Sequence, residues 1–396
     1  MRVLVCTVVH NPADARILHR QIRALLDAGH DVTYVAPFRA CRVTPWPELT
    51  AADVPRAAGR RRLRALRAAR RELARHCGGA DLLIVHDPEL LLVLPLLRHR
   101  PPTVWDVHED TAAALTTKAW VPRPLRRICA AAVRKAERIA ERRLHLILAE
   151  TGYQERFALP HPVVPNTAYV PERPLLPPGS SRVVYLGHLS RARGADEMIE
   201  VARLLRPHGI AVELIGDADA SLRADLSLAQ ADGLIRWYGF VPNSDAVRML
   251  DGALAGIALL HDEPNYRHSL PTKVAEYMAR GLPVVTSPNP PAAELVNRYQ
   301  CGFVVPFGDP AAAAEAVLRL RNDPGLRIQI AMRGHRGALE SLRWPEAARA
   351  FVGQLEAWAA EGSQTPAALV GQTTRKLPPP AAPAPTTARP GRPVPP

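Results

Sequence analysis

The chain has 396 residues, a hydrophobic content of 47% and a formal net charge of +13. This length predicts two or three domains, each large enough for its own core, and no apolar run approaches the roughly 20 residues that a membrane-spanning helix needs. Although the charge would suit nucleic acid, only four of the 51 basic residues are lysines and aromatic side chains do not alternate with the basic runs, so we expect no nucleic-acid partner.

The cysteines and the amino terminus indicate the compartment. The five cysteines are scattered, and no two of them form a CxxC pair. We therefore expect reduced thiols, as in a cytoplasmic protein, and neither disulfides nor a zinc site. The opening residues MRVLVCTVVHN lack a small-residue cleavage site, which favours a first β-strand over a signal peptide.

Residues 1–170 alternate short apolar strands with helices, as in a parallel sheet that is covered on both faces. Polar side chains follow several of these strands, where the ligand clefts of such sheets open. Four of them are also suitable metal ligands, which makes a metal site the weaker alternative there; they are His86, Asp87, His108 and Glu109. Strands are predicted at 2–9, 32–36, 81–85, 103–107, 146–149 and 162–166, and a first helix at 13–28.

Two predicted helices of this first domain are dense in arginine. They span residues 56–77 and 124–144, and each has a narrow apolar stripe. The simpler interpretation is a pair of surface helices. The alternative is that their basic faces rest on anionic lipid, because clustered cations on a helix attract such a surface. The stripes comprise Leu63, Leu66, Ala69 and Leu73 in the first helix, and Ile128, Val133, Ile139 and Leu144 in the second.

A proline-rich linker separates the two halves of the chain. Residues 171–180, PERPLLPPGS, contain four prolines and no periodicity. Residues 181–344 are predicted to form a second Rossmann-like domain, and residues 345–360 a final amphipathic helix that crosses back to the first domain. Residues 361–396 are rich in proline, alanine and threonine, which predicts a disordered tail. Strands of the second domain are predicted at 182–186, 211–215, 235–241, 257–260, 282–286 and 302–306.

The stretch from Gly256 to Ser287 organises the second domain. A short apolar strand leads into a loop, and from Pro271 the apolar spacing becomes helical. Lys273 lies in the first turn of this helix, and Gly281 ends it. A helix N-terminus that carries a lysine at the carboxyl ends of parallel strands is a natural phosphate site.

Four segments of the sequence resemble the group 1 glycosyltransferases, retaining enzymes of the GT-B fold. The most specific is SLPTKVAEYMARGLPVV, which is similar to the nucleotide-sugar signature of that family. The others are HNPADARILHRQIRALLDAGHDVTYVAP, DVHED and GHLSRARGADEMIEVARLL. The resemblance covers about residues 1–360 and implies an α/β fold with two Rossmann-like domains that face a cleft.

The resemblance assigns the donor site to the second domain. It implies that Arg193 and Lys273 bind the donor diphosphate and act in catalysis by stabilising the leaving group. It also implies that Glu276 contacts the nucleotide ribose. His188 and His268 stand where the family usually has, respectively, a second basic residue and the first of two signature glutamates.

Other contacts with the substrates are also implied by the resemblance. The segment from Tyr238 to Val241 is expected to receive the nucleobase. In the first domain, His108 is expected to be catalytic and to hydrogen-bond the transferring sugar or the acceptor. Three residues of the first loop are expected to contact the acceptor or the donor phosphate, although Asp14 could instead serve as a charge at a helix N-terminus; they are Asn11, Asp14 and Arg16.

We expect no metal and no other cofactor. A guanidinium and a helix N-terminus can neutralise a leaving diphosphate by themselves. The triplet Asp217, Ala218 and Asp219 has the DxD pattern of some metal sites. Because it follows a glycine turn in a Rossmann-like unit, we interpret it as part of a loop, with metal binding as the minority alternative.

These features together predict a hexosyl-type glycosyltransferase. It would move a sugar, with retention, from a nucleotide-diphospho-sugar to a hydroxyl of a glycan or lipid-linked acceptor in cell-surface polysaccharide biosynthesis. We expect it in the cytoplasm, on the inner face of the plasma membrane if the basic helices bind lipid. One alternative is a nucleotide-sugar epimerase of the same fold, which would need acid/base carboxylates in the cleft. The other, suggested by His268, is a catalytically silent scaffold of a cell-surface glycan pathway.

Overall fold

The computed structural model describes residues 1–117 and 123–362. These residues form two parallel sheets of six strands, one before and one after the linker at 171–180. The predicted α/β architecture of two Rossmann-like domains is confirmed. From residue 363 onward, the tail predicted to be disordered lies outside the described residues.

The first sheet consists of β1 (Arg2–Cys6), β2 (Asp31–Ala36), β3 (Thr50–Asp53), β4 (Leu82–Val85), β5 (Thr103–Val107) and β6 (His145–Leu148). The strand order is β3-β2-β1-β4-β5-β6, so β1 lies inside the sheet. In the register of β1, Arg2 lies opposite Asp31 and Val3 opposite Leu82. Strands β4, β5 and β6 are buried at every position, because helices cover both faces of the sheet.

The second sheet consists of β7 (Arg182–Leu186), β8 (Ala211–Ile215), β9 (Ile235–Trp237), β10 (Ala255–Ala258), β11 (Val284–Thr286) and β12 (Gly302–Val304). Its order is β12-β11-β10-β7-β8-β9. The order reverses next to β7, and such a switch point places the following loops around a crevice. The loops after β7 and β10 carry the predicted diphosphate residues.

Helices α1 to α5 belong to the first domain: α1 (Arg23–Asp27), preceded by a π-helical turn at Ile17–Ile22, α2 (Phe38–Cys41), α3 (Arg62–His76), α4 (Thr111–Thr117) and α5 (Arg123–Glu141). The second domain contributes α6 (Ala195–Leu205), α7 (Arg223–Ala231), α8 (Asn243–Arg248), α9 (Thr272–Ala279), α10 (Pro290–Tyr299), α11 (Pro310–Asn322), α12 (Pro324–Ser341) and α13 (Trp344–Glu361).

Helix α13 returns to the first domain, where Trp344, Phe351 and Leu355 share a core with Ile17 and Leu25. None of the helices that the structure describes is both long enough and apolar enough to span a bilayer.

Several predicted elements have different bounds. The helix predicted at 13–28 begins only at Ile17, because the side chains of Asn11 and Asp14 accept backbone N–H groups in the preceding turn. The strand predicted at 162–166 is reduced to one bridge between Leu148 and Val163. Pro162 and Pro165 within this segment lack the N–H that a sheet ladder needs.

Other elements were missed or shortened. The strand predicted at 235–241 ends at Trp237, because Gly239 has a positive φ of 65° and turns the chain away from the sheet. Strand β3 was missed because its sequence TAAD is short and has no apolar alternation. Helix α12 was missed as well; Asp323 caps it by accepting the N–H of Leu326.

The arginine-rich helices α3 and α5 are shorter than predicted at 56–77 and 124–144. Part of each predicted apolar stripe is exposed, since Leu63 is 67% exposed and Ile128 is 65% exposed. Helix α3 buries the later part of its predicted stripe, Ala69 and Leu73, but Ala65 takes the place of Leu66 towards the core, and Leu63 projects into solvent. That buried face consists of Ala65, Ala69 and Leu73.

Candidate active site

The carboxyl ends of the two sheets face each other across a cleft. The loop between β10 and α9 closes one side of it, because this loop contacts the first domain. The N–H of Leu270 donates to Glu150 Oε1 over 3.1 Å. His268 packs so closely on Gly152 that an added Cβ there would lie 2.8 Å from His268 Nδ1. The predicted donor loop is therefore part of the domain interface.

Two cations of the second domain meet at the start of α9. Lys273 Nζ lies 4.6 Å from the centre of the Tyr185 ring, and Arg193 lies beside Tyr185 and Tyr266. Burial, with Arg193 as a second cause, lowers the pKa of Lys273 to about 7. Burial acts in the same direction on Arg193, but Tyr185 and Tyr266 outweigh it and raise the pKa of Arg193 above its usual value. The sequence thus correctly grouped these two side chains, and it missed the tyrosines that hold them.

Glycines allow the cations to approach each other. Gly187 has a φ of +127°, and a Cβ there would lie 3.4 Å from the Lys273 side chain. Gly194 has a φ of +80°, and its Cβ would lie 2.0 Å from the carbonyl oxygen of Leu259. Because side chains rarely adopt either conformation, both positions require glycine. The strand-to-helix turn that carries Arg193 can therefore form only with glycine at position 194.

The remaining predicted donor residues surround this cation pair to different extents. The His188 carbonyl accepts the Tyr185 hydroxyl over 2.8 Å, but the His188 ring lies 2.9 Å from Asp219 at the surface. Tyr238 is 43% exposed in the turn after β9, and Val241 is partly buried farther along it. The ring of His188 is therefore turned towards Asp219 and away from the buried cations.

Asp87 organises the first loop of the first domain. This fully buried carboxylate accepts the Val8 N–H at 2.5 Å, the Val9 N–H at 3.2 Å and the Thr7 hydroxyl at 3.0 Å. His10 Nε2 lies 3.3 Å from its other oxygen. Asp87 therefore fixes the chain where β1 ends and holds His10 at the cleft. This role differs from the metal ligation that the sequence left open.

Asp106, which the sequence analysis did not single out, lies at the centre of a second buried network. Arg16 donates to both of its oxygens, over 2.8 Å and 2.6 Å. His86 Nδ1 lies 3.1 Å from the same carboxylate. Arg16 also donates to the Val164 carbonyl and to Asn166, so its guanidinium is engaged within the first domain. Burial opposes ionisation of Asp106, but Arg16 outweighs it and the pKa of Asp106 falls well below its usual range.

His108 connects the Asp106 network to the cleft. Its Nδ1 lies 3.1 Å from the Asp106 carbonyl oxygen and 3.4 Å from the carboxylate. Its Nε2 lies 2.9 Å from Nε2 of His10, so these nitrogens share one proton. Burial disfavours a charged imidazole, yet Asp106 outweighs it and raises the pKa of His108 to about 9. His10, which was not predicted as a site residue, covers the Nε2 atom of His108.

Asn11 and Asp14 act locally. Asn11 Oδ1 accepts the N–H of Ala13 over 2.9 Å. Asp14 Oδ1 accepts the N–H groups of Arg16 and Ile17, over 2.8 Å and 3.1 Å. Asp14 therefore caps the π-helical turn, as the helix-terminus alternative for it anticipated. Burial opposes ionisation of Asp14, but His10 and the backbone N–H groups outweigh it and lower its pKa.

One group of side chains within the described residues has the geometry to hold a metal ion: His86, Asp106 and His108. It differs from the predicted set, because Asp106 replaces Asp87 and Glu109. Arg16 already binds both oxygens of Asp106. A metal ion would therefore compete with a guanidinium for the same carboxylate, and its site would retain two imidazole nitrogens as its other ligands.

Glu150 and Arg20 complete the cleft, and neither was predicted. Glu150 follows β6 and is buried against the donor loop, and burial raises its pKa to about 8. Arg20 donates to Glu276 Oε1 over 2.6 Å, so the predicted ribose residue is paired with a side chain of the other domain. The position of Glu150 just after a strand was a signal for the cleft. Arg20 gave no such signal, because it lies within a helical pattern.

Solved structures identify the fold of the chain. Sucrose-phosphate synthase from Thermosynechococcus elongatus superimposes with a TM-score of 0.70, covering 91% of this chain and 99% of that one at 18% identity. Anabaena Alr3699/HepE, solved with UDP and glucose, superimposes with a TM-score of 0.66, covering 90% and 100% at 14% identity. The protein therefore has the two-domain GT-B architecture.

Sequence comparison points to one family. The family model for "Glycosyl transferases group 1" matches residues 170–336, so this part of the chain is similar to that family. A curated relative is the amylovoran biosynthesis glycosyltransferase AmsK of Erwinia amylovora, which is 29% identical over 144 residues. That alignment spans about a third of each protein, 35% of this chain and 35% of the relative.

Proposed function

We propose that the protein is a retaining glycosyltransferase that transfers a hexosyl group from a nucleoside-diphosphate sugar. The observation that carries this proposal is the pair Lys273 and Arg193. Lys273, in the first turn of α9, and Arg193 both lie beside Tyr185 of β7, and neither forms a salt bridge with a carboxylate of the described residues. A buried lysine beside a half-buried arginine, with neither of them in a salt bridge, favours an anionic ligand. A diphosphate at this helix terminus would supply that charge.

The charges of the cleft suggest how transfer proceeds. Arg193 and Lys273 stabilise the leaving diphosphate as the glycosidic bond to it breaks, so the reaction needs no metal. Asp106 holds Nδ1 of His108 and His10 covers its Nε2, so His108 reaches the transferring sugar or the acceptor once His10 is displaced. The departing phosphate oxygen takes the proton of the acceptor hydroxyl. Closure of the two domains excludes water and so limits hydrolysis of the donor.

The acceptor is a hydroxyl of a glycan or a lipid-linked sugar, in cell-surface polysaccharide biosynthesis. The relative AmsK supports this pathway class, since its name assigns it to amylovoran biosynthesis. The surface of the first domain supports a lipid-linked acceptor at the cytoplasmic face of a membrane. Exposed apolar side chains lie among the arginines of α3 and α5, which suits anionic lipid; they are Leu63, Leu125, Ile128 and Ile139.

Vesicle sedimentation tests the membrane part of the proposal. We expect the protein to bind vesicles of phosphatidylglycerol and phosphatidylcholine but not pure phosphatidylcholine. Reversing the charge of two exposed arginines of α3, with Arg64→Glu and Arg71→Glu, should weaken this binding. The control is Arg349→Glu on α13, an arginine whose side chain is 77% exposed. Equal loss in the control would show that net charge alone, and no specific surface, governs binding.

A thermal-shift screen against UDP, GDP and ADP tests the donor. At least one nucleotide should raise the melting temperature of the wild type, because a ligand that binds only the folded state stabilises it by mass action. Lys273→Ala should abolish that shift. If none of the three nucleotides changes the melting temperature, the proposed donor class is wrong.

A nucleotide-sugar epimerase is the second candidate. Glu150 favours it, because this buried carboxyl group in the cleft has a pKa of about 8 and could serve as an acid. Incubation with a nucleotide sugar and no acceptor distinguishes the two enzymes, since only the epimerase interconverts the free donor sugar. A catalytically silent scaffold would bind the nucleotide and support polysaccharide synthesis in cells even when Lys273→Ala removes the diphosphate contact.

A further inference from the structure

Arg20 forms a buried ion pair that crosses the domain boundary. It lies in the π-helical turn at Ile17–Ile22, and its Nη2 donates to Glu276 Oε1 over 2.6 Å. The two side chains are 3% and 6% exposed. Glu276 lies on α9 in the second domain, so this contact exists only when the domains are together. Arg20 Nε has no hydrogen-bond partner within the described residues.

Stability alone does not account for this pair. Removing two charges from water costs several kcal/mol per ion, and a buried pair recovers this only with good geometry and satisfied neighbours. The orphaned Nε shows that one donor of Arg20 remains unsatisfied. Burial raises the pKa of Glu276, although Arg20 acts in the opposite direction. The pair therefore leaves the Nε donor of Arg20 without a partner at the domain interface. A binding site for a polar ligand would have such an unsatisfied group.

The position of Glu276 on α9 indicates which part of a ligand it meets. Lys273 precedes it by three residues, so the two side chains lie on one face of the helix, about one turn apart. Under the proposed function, Lys273 holds the diphosphate. In a nucleoside diphosphate, the group next to the phosphates is the ribose, whose hydroxyls are good donors to a carboxylate.

We propose that Arg20 is a positioning residue of the nucleotide site, which holds the Glu276 carboxylate for the ribose hydroxyls. This inference rests on the proposed function. Because Arg20 belongs to the first domain, it makes recognition of the nucleoside depend on domain closure, whereas the diphosphate contacts of Lys273 and Arg193 lie within the second domain alone. Loss of Arg20 should therefore weaken the ribose contact and spare the diphosphate contact.

Calorimetry with two probes separates these contributions. We would titrate UDP, and in parallel inorganic pyrophosphate, into the wild type, Arg20→Ala, Glu276→Gln and the double variant. Arg20→Ala should weaken UDP binding by roughly 10- to 100-fold, which corresponds to loss of a hydrogen bond to a charged group. Pyrophosphate binding should stay within about twofold. The double variant should lose no more than the larger single loss, because both residues serve one contact.

A neighbouring arginine provides the matched control. Arg23 follows Arg20 by three residues but pairs with Asp27 and Glu48 at the surface. Arg23→Ala removes the same charge from the same segment, so it should leave both affinities unchanged. If Arg20→Ala does not fold, which circular dichroism would reveal, Arg20→Lys replaces it, because the lysine keeps the charge but offers only a point-like donor and should give a smaller loss for UDP alone.

The outcomes distinguish the inference from the proposed function. If the wild type binds pyrophosphate but none of UDP, GDP and ADP, the proposed nucleotide donor fails and the inference fails with it. If the wild type binds UDP and Arg20→Ala binds it equally well, the inference is wrong and the proposed function stands. Equal loss of UDP and pyrophosphate in a folded variant would also overturn the inference, because it would mean that Arg20 supports the whole site.

Discussion

The two sides of the cleft balance their charges in opposite ways. In the first domain, Arg16 and the histidines satisfy Asp106, and backbone N–H groups satisfy Asp87. In the second domain, Lys273 and Arg193 lie beside tyrosines, and neither forms a salt bridge within the described residues; Glu109 acts on Arg193 only through its charge. A satisfied network fixes geometry, whereas an uncompensated charge marks the place of an ion that is still to bind. This contrast is why we propose that the anionic part of the donor binds to the second domain.

Removing one of the two cations should have the largest effect. Arg193→Ala should lower affinity for UDP by about 100-fold, as expected for loss of one partner of a desolvated charge contact. Arg191→Ala is the matched control, because Arg191 is two residues away but pairs with Asp196 and Asp225 at the surface. Isothermal titration calorimetry checks both variants. A similar loss in both would mean that the overall charge of this loop attracts the nucleotide, with no particular contribution from Arg193.

The pH dependence of binding should be the next largest effect. Burial and Arg193 lower the pKa of Lys273 to about 7, and a bound diphosphate would favour the charged form. Below pH 7 the lysine is already charged, so affinity should change little there through this group. Above pH 7 the free protein must take up a proton to bind, so UDP affinity should fall by up to roughly tenfold per pH unit.

The variant Lys273→Arg tests that assignment. Arginine stays charged throughout this range, so the pH dependence between pH 7 and pH 9 should disappear while binding is retained. Titrations of the wild type and the variant in the same buffers provide the comparison. A slope that persists in Lys273→Arg would assign the pH dependence to a group other than this lysine.

In the first domain, we expect a smaller effect, on stability. Asp106 outweighs burial and raises the pKa of His108 to about 9, so the folded state binds the proton more tightly than the unfolded chain does. The resulting stabilisation is complete below about pH 6.5 and is lost as pH rises through 9. His108→Gln should therefore remove a contribution on the order of 1–3 kcal/mol at pH 6 and little at pH 9.5. Urea unfolding at both pH values measures it.

His99→Gln provides the control for that measurement, because His99 is exposed. It should leave the stability difference between the two pH values as in the wild type. His10→Gln should reduce the difference in part, since His10 shares the proton of His108 Nε2. An unchanged pH dependence in His108→Gln would contradict the charged state assigned to this histidine.

Glu150 should affect stability in the opposite sense, with the gain at high pH. Burial raises its pKa to about 8, so the unfolded chain ionises first and stability falls as pH rises from about 4.5 to 8. Glu150→Gln stays neutral and keeps an acceptor for the Leu270 N–H. It should match the wild type at pH 4.5 and exceed it by on the order of 3 kcal/mol at pH 8.5, because burial outweighs the donors of Leu270 and Ser269 in setting that pKa. A gain already present at pH 4.5 would mean that the charge of Glu150 is not responsible.

Local sequence patterns predicted the strands and the cation pair of the second domain. Strands β5, β7 and β8 have the predicted bounds, because short apolar runs between polar residues specify buried parallel strands. Lys273 and Arg193 were found together, because both belong to local motifs at the carboxyl ends of strands. Local sequence determines where such loops lie, and the fold then brings their ends to one cleft.

Residues that act across the fold left no local signal. Asp106 lies inside β5, where its carboxylate interrupts an apolar run, and only the tertiary contact with Arg16 shows its role. Arg20 and Glu276 are 256 positions apart, and their pairing depends on how the two domains meet. His10 comes directly after a predicted strand, but its role depends on its contact with His108, which the sequence does not show. The pattern of a single sequence shows periodicity and turn residues. Neither of these features indicates which distant residues will contact each other in the fold.

The central claim is that the uncompensated cations of the second domain bind the diphosphate of an activated sugar. Calorimetric titration of UDP, GDP and ADP into the wild type and into Lys273→Ala tests it most directly. At least one nucleotide should bind the wild type, and its affinity should fall by about 100-fold in the folded variant. Failure of all three nucleotides to bind the wild type, or equal binding to both proteins, would contradict it.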